Sequence, residues 1–106
     1  MIELDEARCE VRRFGKEVNL TPKEYQIMTT LVDAQGEVVS RDEIIERAWD
    51  RDSRASSVGE VLDHLVVNQH IRRLRSKIVF ETIITVTGRG FKAARGAFKR
   101  TSFQWS

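Results

Sequence analysis

The alternation of apolar and polar residues predicts short strands at the N-terminus. Residues 2–5 (Ile-Glu-Leu-Asp), 8–14 and 17–20 alternate with a period of two, and Gly15-Lys16 separates the last two segments as a turn. Strands with one apolar side are typical of an antiparallel sheet that has one solvated face. We therefore expect a small antiparallel sheet over the first twenty residues.

Three capping boxes predict the starts of three helices. Thr21-Pro22-Lys23-Glu24 and Ser40-Arg41-Asp42-Glu43 each place a Ser or Thr three residues before a Glu, and Ser57-Val58-Gly59-Glu60 repeats the pattern. Gln35-Gly36 ends the first predicted helix, with Gly36 as a left-handed cap. The third helix is predicted over about 58–78, where helical spacing produces an apolar stripe of Val67, Ile71, Leu74 and Ile78.

After Glu81 the period changes to two, which predicts a β-hairpin over residues 83–93. Gly88-Arg89-Gly90 forms its turn, and the two glycines are expected to let the tip approach a ligand closely. Residues 95–106 are basic with interspersed aromatic residues and show no clear period. We predict a domain over residues 1–94 and a basic C-terminal tail over residues 95–106.

The distribution of charge points to a polyanionic partner. The chain of 106 residues has the length of one domain and a net charge of only +2. Residues 1–64, however, hold nine Lys or Arg and fifteen Asp or Glu, a net of −6, whereas residues 65–106 hold nine Lys or Arg and one acid, a net of +8. The basic second part is a candidate nucleic-acid binder.

The face of the third helix opposite its apolar stripe carries side chains that can bind nucleic acid. Helical spacing puts Val66, Gln69, His70, Arg73 and Lys77 on that face, with Arg72 and Arg75 beside it. Arg can pair bidentately with guanine, Gln with adenine, and Val can contact a thymine methyl group. Arg89 at the hairpin tip can enter a narrow minor groove. A merely solvated basic face and an ordinary turn remain the alternatives.

The sequence contains few features that would indicate a membrane protein, a metal site or an enzyme. No apolar run is long enough to span a bilayer, and no secretory signal follows Met1. His64 and His70 lie six residues apart, which does not fit a metal-binding pair on one helix face, and the lone Cys9 is expected to be partly buried. There is no phosphate-binding glycine loop and no serine nucleophile motif. We therefore expect a cytoplasmic protein that is not an enzyme, has no cofactor or metal, and does not bind membranes.

Four ordered segments resemble the winged helix-turn-helix effector domain of OmpR/PhoB-type response regulators. The likeness covers roughly residues 2–93 and rests on residues 20–25 (LTPKEY), 39–49 (VSRDEIIERAW), 70–78 (HIRRLRSKI) and 85–91 (TVTGRGF). It implies an α+β fold with a four-stranded N-terminal sheet, three helices and a C-terminal hairpin wing. It also implies sequence-specific binding to double-stranded DNA and transcription regulation in a two-component system.

The resemblance assigns roles by position. Val66, Gln69, His70 and Arg73 would read bases in the major groove, and Arg89 would reach the minor groove. Arg72, Arg75, Lys77 and Thr87 would contact the DNA backbone, although Arg72 and Arg75 could instead hold the helix in place. The resemblance to this family further implies a homodimer on direct repeats and contact with RNA polymerase through loop 50–57.

Three departures from the family pattern keep alternatives open. The family usually has Arg where Thr87 stands, so the minor-groove contact is expected either to shift to Arg89 or to be weaker. The stretch between Trp49 and His70 is longer than usual, and we hypothesise that it contacts protein, a hypothesis that deletion of residues 54–60 tests. The receiver domain is absent, so the chain is expected to be an isolated effector half or a free-standing regulator. A winged-helix protein-interaction module without DNA binding is the alternative function.

Overall fold

The computed structural model describes residues 1–49 and 64–100, which form six strands, three α-helices and one 3-10 turn. The strands are β1 (Ile2–Asp5), β2 (Glu10–Arg13), β3 (Lys16–Val18), β4 (Ile83–Val86), β5 (Gly90–Ala93) and β6 (Phe98–Arg100). The helices are α1 (Pro22–Asp33), α2 (Arg41–Ala48) and α3, described over His64–Lys77, and the 3-10 turn is Phe80–Thr82. The α+β architecture predicted from the sequence is confirmed.

A four-stranded sheet has the order β3-β2-β1-β6. β1, β2 and β3 pair antiparallel, as the alternation predicts, whereas β6 runs parallel to β1 with Phe98 opposite Ile2. The sequence pattern does not predict β6, because the strand is only three residues long and lies in a segment without a period. Its position depends on distant partners: the Arg100 guanidinium pairs with Asp33 at the end of α1 and with Glu6. The domain boundary at residue 94 stays a prediction.

The first two helices begin where the capping boxes predict. The Glu24 amide donates to the Thr21 hydroxyl, and the Thr21 amide donates to the Glu24 carboxylate at 3.0 Å, so the first box is reciprocal. In α2 the Glu43 amide donates to Ser40 Oγ at 3.1 Å. α1 ends in a turn in which both Gln35 and Gly36 have positive φ. The third box, at residues 57–60, lies outside the described residues.

One apolar core joins the sheet, the helices and the hairpin. The predicted stripe of α3 is confirmed, since Val67, Ile71, Leu74 and Ile78 are at most 1% exposed. The same cluster contains buried side chains from every other layer: Ile2, Leu4, Val11, Ile27, Met28, Leu31, Ile44, Trp49, Ile83 and Phe91. Because one face of α3 is buried in this core, its opposite face is exposed to solvent. Cys9, which we expected to be partly buried, is exposed in the turn between β1 and β2.

The predicted hairpin is present, and its base is tied to the helical region. β4 and β5 pair antiparallel around the turn at residues 87–89, and Val39 exchanges two backbone hydrogen bonds with Phe91, at 2.8 and 3.0 Å. Gly90 lies at this junction with φ +146, and a Cβ there would clash with the Val39 carbonyl. The close approach that Gly90 permits is therefore to the domain's own backbone. Gly88, with φ +77, has open space around it and is the glycine at the exposed tip.

Candidate nucleic-acid interface

The outward face of α3 is an exposed polar and basic surface. Gln69, Arg72 and Arg73 are exposed, and so are Asn68 and Ser76 beside them. Within the described part of the chain, the Arg72 and Arg73 side chains make no hydrogen bond or ion pair. Two unneutralised guanidinium groups on one rigid helix are suited to a polyanion.

The hairpin places a second basic group next to this helix. Arg89 and Thr87 are both exposed in the turn, and the Arg89 amide donates to the Val86 carbonyl at 2.9 Å, which closes the turn. The structure thus has an exposed helix face and an exposed arginine tip on two adjoining elements. The exposed side chains on these two elements include Gln69, Arg72, Arg73 and Arg89.

Lys77, one of the residues predicted to contact DNA, turns toward the protein. Lys77 Nζ donates to Glu24 Oε1 at 2.7 Å, and the Glu24 side chain is only 1% exposed. Burial alone would raise the pKa of Glu24, but the hydrogen bonds from Lys77 and the Thr21 amide, together with the positive charge of Lys77, bring that pKa below its ordinary value. The Lys77 ammonium is therefore part of the link between α3 and α1.

His70 and Val66 lie on the same flank as Lys77. The His70 ring meets the Trp49 ring edge-on, with centroids 5.3 Å apart and an interplanar angle of 67°. Val66 is half-buried and packs against the core cluster. Of the four residues predicted to read bases, Gln69 and Arg73 are thus the two that are exposed.

Arg75 lies on the opposite flank and faces the hairpin. Its Nε and Nη2 donate to the Ile83 carbonyl at 3.0 and 2.7 Å, and Nη2 also donates to Thr85 Oγ1 at 2.6 Å. The guanidinium carbon lies 4.8 Å from the centroid of the Phe80 ring and 5.5 Å from that of Phe91. Burial lowers the pKa of Arg75, which nevertheless stays charged at any physiological pH.

A groove of about 420 Å³ separates α3 from the hairpin. It is lined by Arg41, Asn68, Ile71, Arg72, Arg75, Ser76, Phe80, Thr85 and Phe91. Sequence reasoning missed Arg41, whose Nε donates to Asn68 Oδ1 at 2.8 Å and whose guanidinium carbon lies 4.7 Å from the Phe91 ring centroid. It also missed Asn68 and Ser76, although their spacing of four from Arg72 is a signal that puts them on its side of the helix.

Comparison with known proteins identifies the family. Residues 15–93 match the family described as "Transcriptional regulatory protein, C terminal". The chain belongs to this family. Its winged helix-turn-helix architecture, and the OmpR/PhoB-type resemblance drawn from the four sequence segments, are thereby confirmed.

Similar proteins include regulators from Streptomyces and Mycobacterium. The chain is 42% identical over 91 residues to the transcriptional regulatory protein CseB of Streptomyces coelicolor, covering 86% of this chain and 36% of that protein. It is 31% identical over 97 residues to the DNA-binding response regulator MtrA of Mycobacterium tuberculosis, covering 87% of this chain and 40% of that protein. The chain thus spans little more than a third of the length of these relatives.

Two solved structures of this transcriptional-regulator family superpose over most of the chain. The DNA-binding domain of the response regulator AdeR, in complex with an intercistronic region, has a TM-score of 0.72 and 26% identity, covering 89% of this chain and 94% of that one. The DNA-binding domain of Bacillus subtilis CssR also has a TM-score of 0.72, with 27% identity over 89% of this chain and 100% of that one.

The described part of this family member can be compared with the requirements of a membrane-spanning helix and of a metal site. No helix within residues 1–49 and 64–100 is long and apolar enough to cross a membrane. In the same ranges no three His, Cys, Asp or Glu side chains gather where a metal ion could bind. The loop predicted at residues 50–57 lies outside the described residues, and so does the part of the longer stretch between Trp49 and His70 that precedes residue 64.

Proposed function

We propose that this domain binds double-stranded DNA sequence-specifically and regulates transcription. The observation that carries the proposal is the exposed pair Arg72 and Arg73 on the helix face opposite the core, next to a hairpin that ends in Arg89. The described part of α3 has 14 residues, which corresponds to a length of about 21 Å. The major groove of B-DNA accepts a helix of this kind, whereas the minor groove accepts a single arginine side chain.

Within this proposal Gln69 and Arg73 read bases in the major groove. Both side chains leave the helix on its solvated face, and their donors match adenine and guanine edges. Arg72 and Thr87 contact the backbone, and Arg89 enters the minor groove. Val66 and His70 contribute at most their exposed edges, because both side chains are half-buried.

Selection of bound duplexes from a random pool, followed by binding assays with variants, tests the proposal. Arg73→Ala is expected to cost about 1–3 kcal/mol on the selected duplex and to relax the preference at one base position. Arg47→Ala is the matched control: it also removes an exposed arginine, but one that is paired with Glu43 on α2. Equal losses for the two variants, or equal losses on selected and random duplexes, would refute base reading by Arg73.

The wider role follows from the relatives. MtrA is named a DNA-binding response regulator, and on that likeness we propose that this domain is the output part of a two-component regulator. The proposal includes a homodimer on direct repeats, contact with RNA polymerase through residues 50–57, a cytoplasmic location and no catalytic activity. The spacing of repeats in the selected duplexes tests the dimer.

The second candidate is a winged-helix module that binds protein instead of DNA. Leu65 and Phe80, which are 61% and 67% exposed near the two ends of α3, support it. Exposed apolar side chains of this size can mark protein contacts. An absence of salt-dependent duplex binding at low ionic strength would favour this module.

A further inference from the structure

The hairpin depends on side chains for its position relative to α3. β4 and β5 form a sheet of two strands, and Val39 adds a single bridge to β5. Two-stranded hairpins are at best marginally stable in water. Since β5 is joined to Val39, β4 is the outer strand, and it meets the rest of the domain through the buried Ile83 side chain and through polar contacts with α3.

Arg75 supplies these polar contacts. Its three donor contacts end on Ile83 and Thr85, both in β4, although Arg75 itself belongs to α3. The planar guanidinium also contacts the Phe80 ring, which follows α3, and the Phe91 ring, which belongs to β5. One side chain therefore connects the helix to both strands of the hairpin.

The same contacts leave little of Arg75 for a ligand. Its Nε and Nη2 are already bonded within the protein, and the side chain is half-buried. Arg72, three residues earlier, has no such partners in the described residues and is exposed. Two arginines in one basic segment thus have different surroundings.

We propose that Arg75 is a positioning residue that fixes the hairpin to α3 and acts on DNA only through the placement of Arg89. This inference rests on the proposed function, because it concerns how the helix and the hairpin engage one duplex together. The guanidinium sets the distance and orientation between the helix face and the hairpin tip. Lys cannot replace it, because one ammonium cannot reproduce the fork of donors or the stacking between two rings.

Hydrogen exchange tests the positioning without DNA. Arg75→Lys keeps the charge but loses the fork, and the amides of residues 83–93 are expected to exchange at least about tenfold faster. Thr85→Val removes one acceptor from the hairpin side, leaves the helix sequence intact, and is expected to give a smaller increase in the same amides. Arg72→Lys is the matched control and should leave hairpin exchange unchanged. Unaltered exchange in both Arg75→Lys and Thr85→Val would overturn the proposal.

A double-mutant cycle with Arg89 tests the action on DNA. Binding to a short mixed-sequence duplex is measured for Arg75→Gln, Arg89→Ala and the double variant over a range of salt concentrations. If Arg75 acts through the hairpin, Arg75→Gln causes no further loss once Arg89 is absent. A phosphate ligand would instead lower the salt slope by about one in both backgrounds, as Arg72→Gln is expected to do.

The two hypotheses fail in different ways. If the wild-type domain binds no duplex, the proposed function fails, while the exchange experiment still decides whether Arg75 positions the hairpin. If duplex binding is present but the losses from Arg75→Gln and Arg89→Ala are additive, the positioning role is refuted and the DNA-binding function stands.

Discussion

Replacing Lys77 distinguishes a structural ion pair from a DNA contact. Lys77→Met keeps most of the aliphatic stem but removes the ammonium that bonds Glu24 Oε1 at 2.7 Å. The Glu24 side chain is only 1% exposed, so its carboxylate has little access to water. Of the hydrogen-bond donors identified, the Thr21 amide is the one that remains. Removing one partner of a fully buried pair costs about 3–5 kcal/mol. Because the Lys77 side chain is itself 36% exposed, water replaces part of its contribution, and we expect about 2–3 kcal/mol.

Thermal and urea unfolding measure this loss. For a domain of this size, 2–3 kcal/mol corresponds to a fall in Tm of roughly 10–20 °C. The double variant Glu24→Gln/Lys77→Met should recover much of the stability, because it removes the unpaired buried charge. Arg73→Met on the exposed face of the same helix is the matched control and should change stability by no more than about 0.5 kcal/mol.

The pH dependence provides a second signature. The folded pKa of Glu24 lies below its ordinary value of 4.5, so the stabilisation is complete above that pH and is lost as the pH falls through the folded pKa. The gap in stability between wild type and Lys77→Met should therefore be greatest near neutrality and narrow in acid below 4.5. A Lys77→Met protein with unchanged Tm but a lower salt slope for duplex binding would refute the structural role and restore Lys77 as a phosphate contact.

Four further substitutions test the local geometry by urea unfolding. Gly90→Ala should destabilise the domain by at least about 2 kcal/mol because its Cβ meets the Val39 carbonyl, whereas Gly88→Ala, in open space, should cost about 1 kcal/mol; equal costs would contradict the close contact. Phe14→Asn should stabilise by a few tenths of a kcal/mol, since residue 14 is 75% exposed at a hairpin tip with φ 53; a loss of stability would show that the ring has a structural role. Thr21→Ala should cost about 1 kcal/mol through loss of the cap, and an unchanged midpoint would refute its contribution.

Local patterns predict the elements of this fold well where the signal is contained in one segment. The capping residues Thr21 and Ser40 fix the starts of α1 and α2, because the partner of each lies three residues away. The apolar stripe of α3 and the hairpin turn are also local. β6 is different: its three residues become a strand through β1 and through Arg100, whose partners Asp33 and Glu6 are distant in sequence.

Helical spacing distinguishes the buried face of α3 from the exposed one. It does not predict in which direction the side chains at the border between the two faces turn. Lys77, His70 and Arg75 all lie on the flanks, where a long side chain can turn either to solvent or to a neighbouring element. Their partners are Glu24 on α1, Trp49 after α2 and Ile83 on β4, which only the tertiary fold brings near. Residue type alone therefore does not distinguish an exposed basic side chain from one that is bonded within the domain.

Some basic residues of α3 are exposed and others are bonded within the domain, and this difference has a physical consequence for DNA binding. Lys77 and Arg75 anchor opposite flanks of α3, one to α1 and the other to the hairpin. Lys77 holds the helix that presents Arg73 and Gln69, so on the proposed function less conformational entropy is lost at these side chains when a duplex binds. Arg75 holds the hairpin that carries Arg89. Sequence preference in this domain should thus depend on a residue that touches no base: loosening the Lys77 flank should weaken binding to a selected duplex more than binding to a random one, whereas loosening the Arg75 flank should weaken both through Arg89.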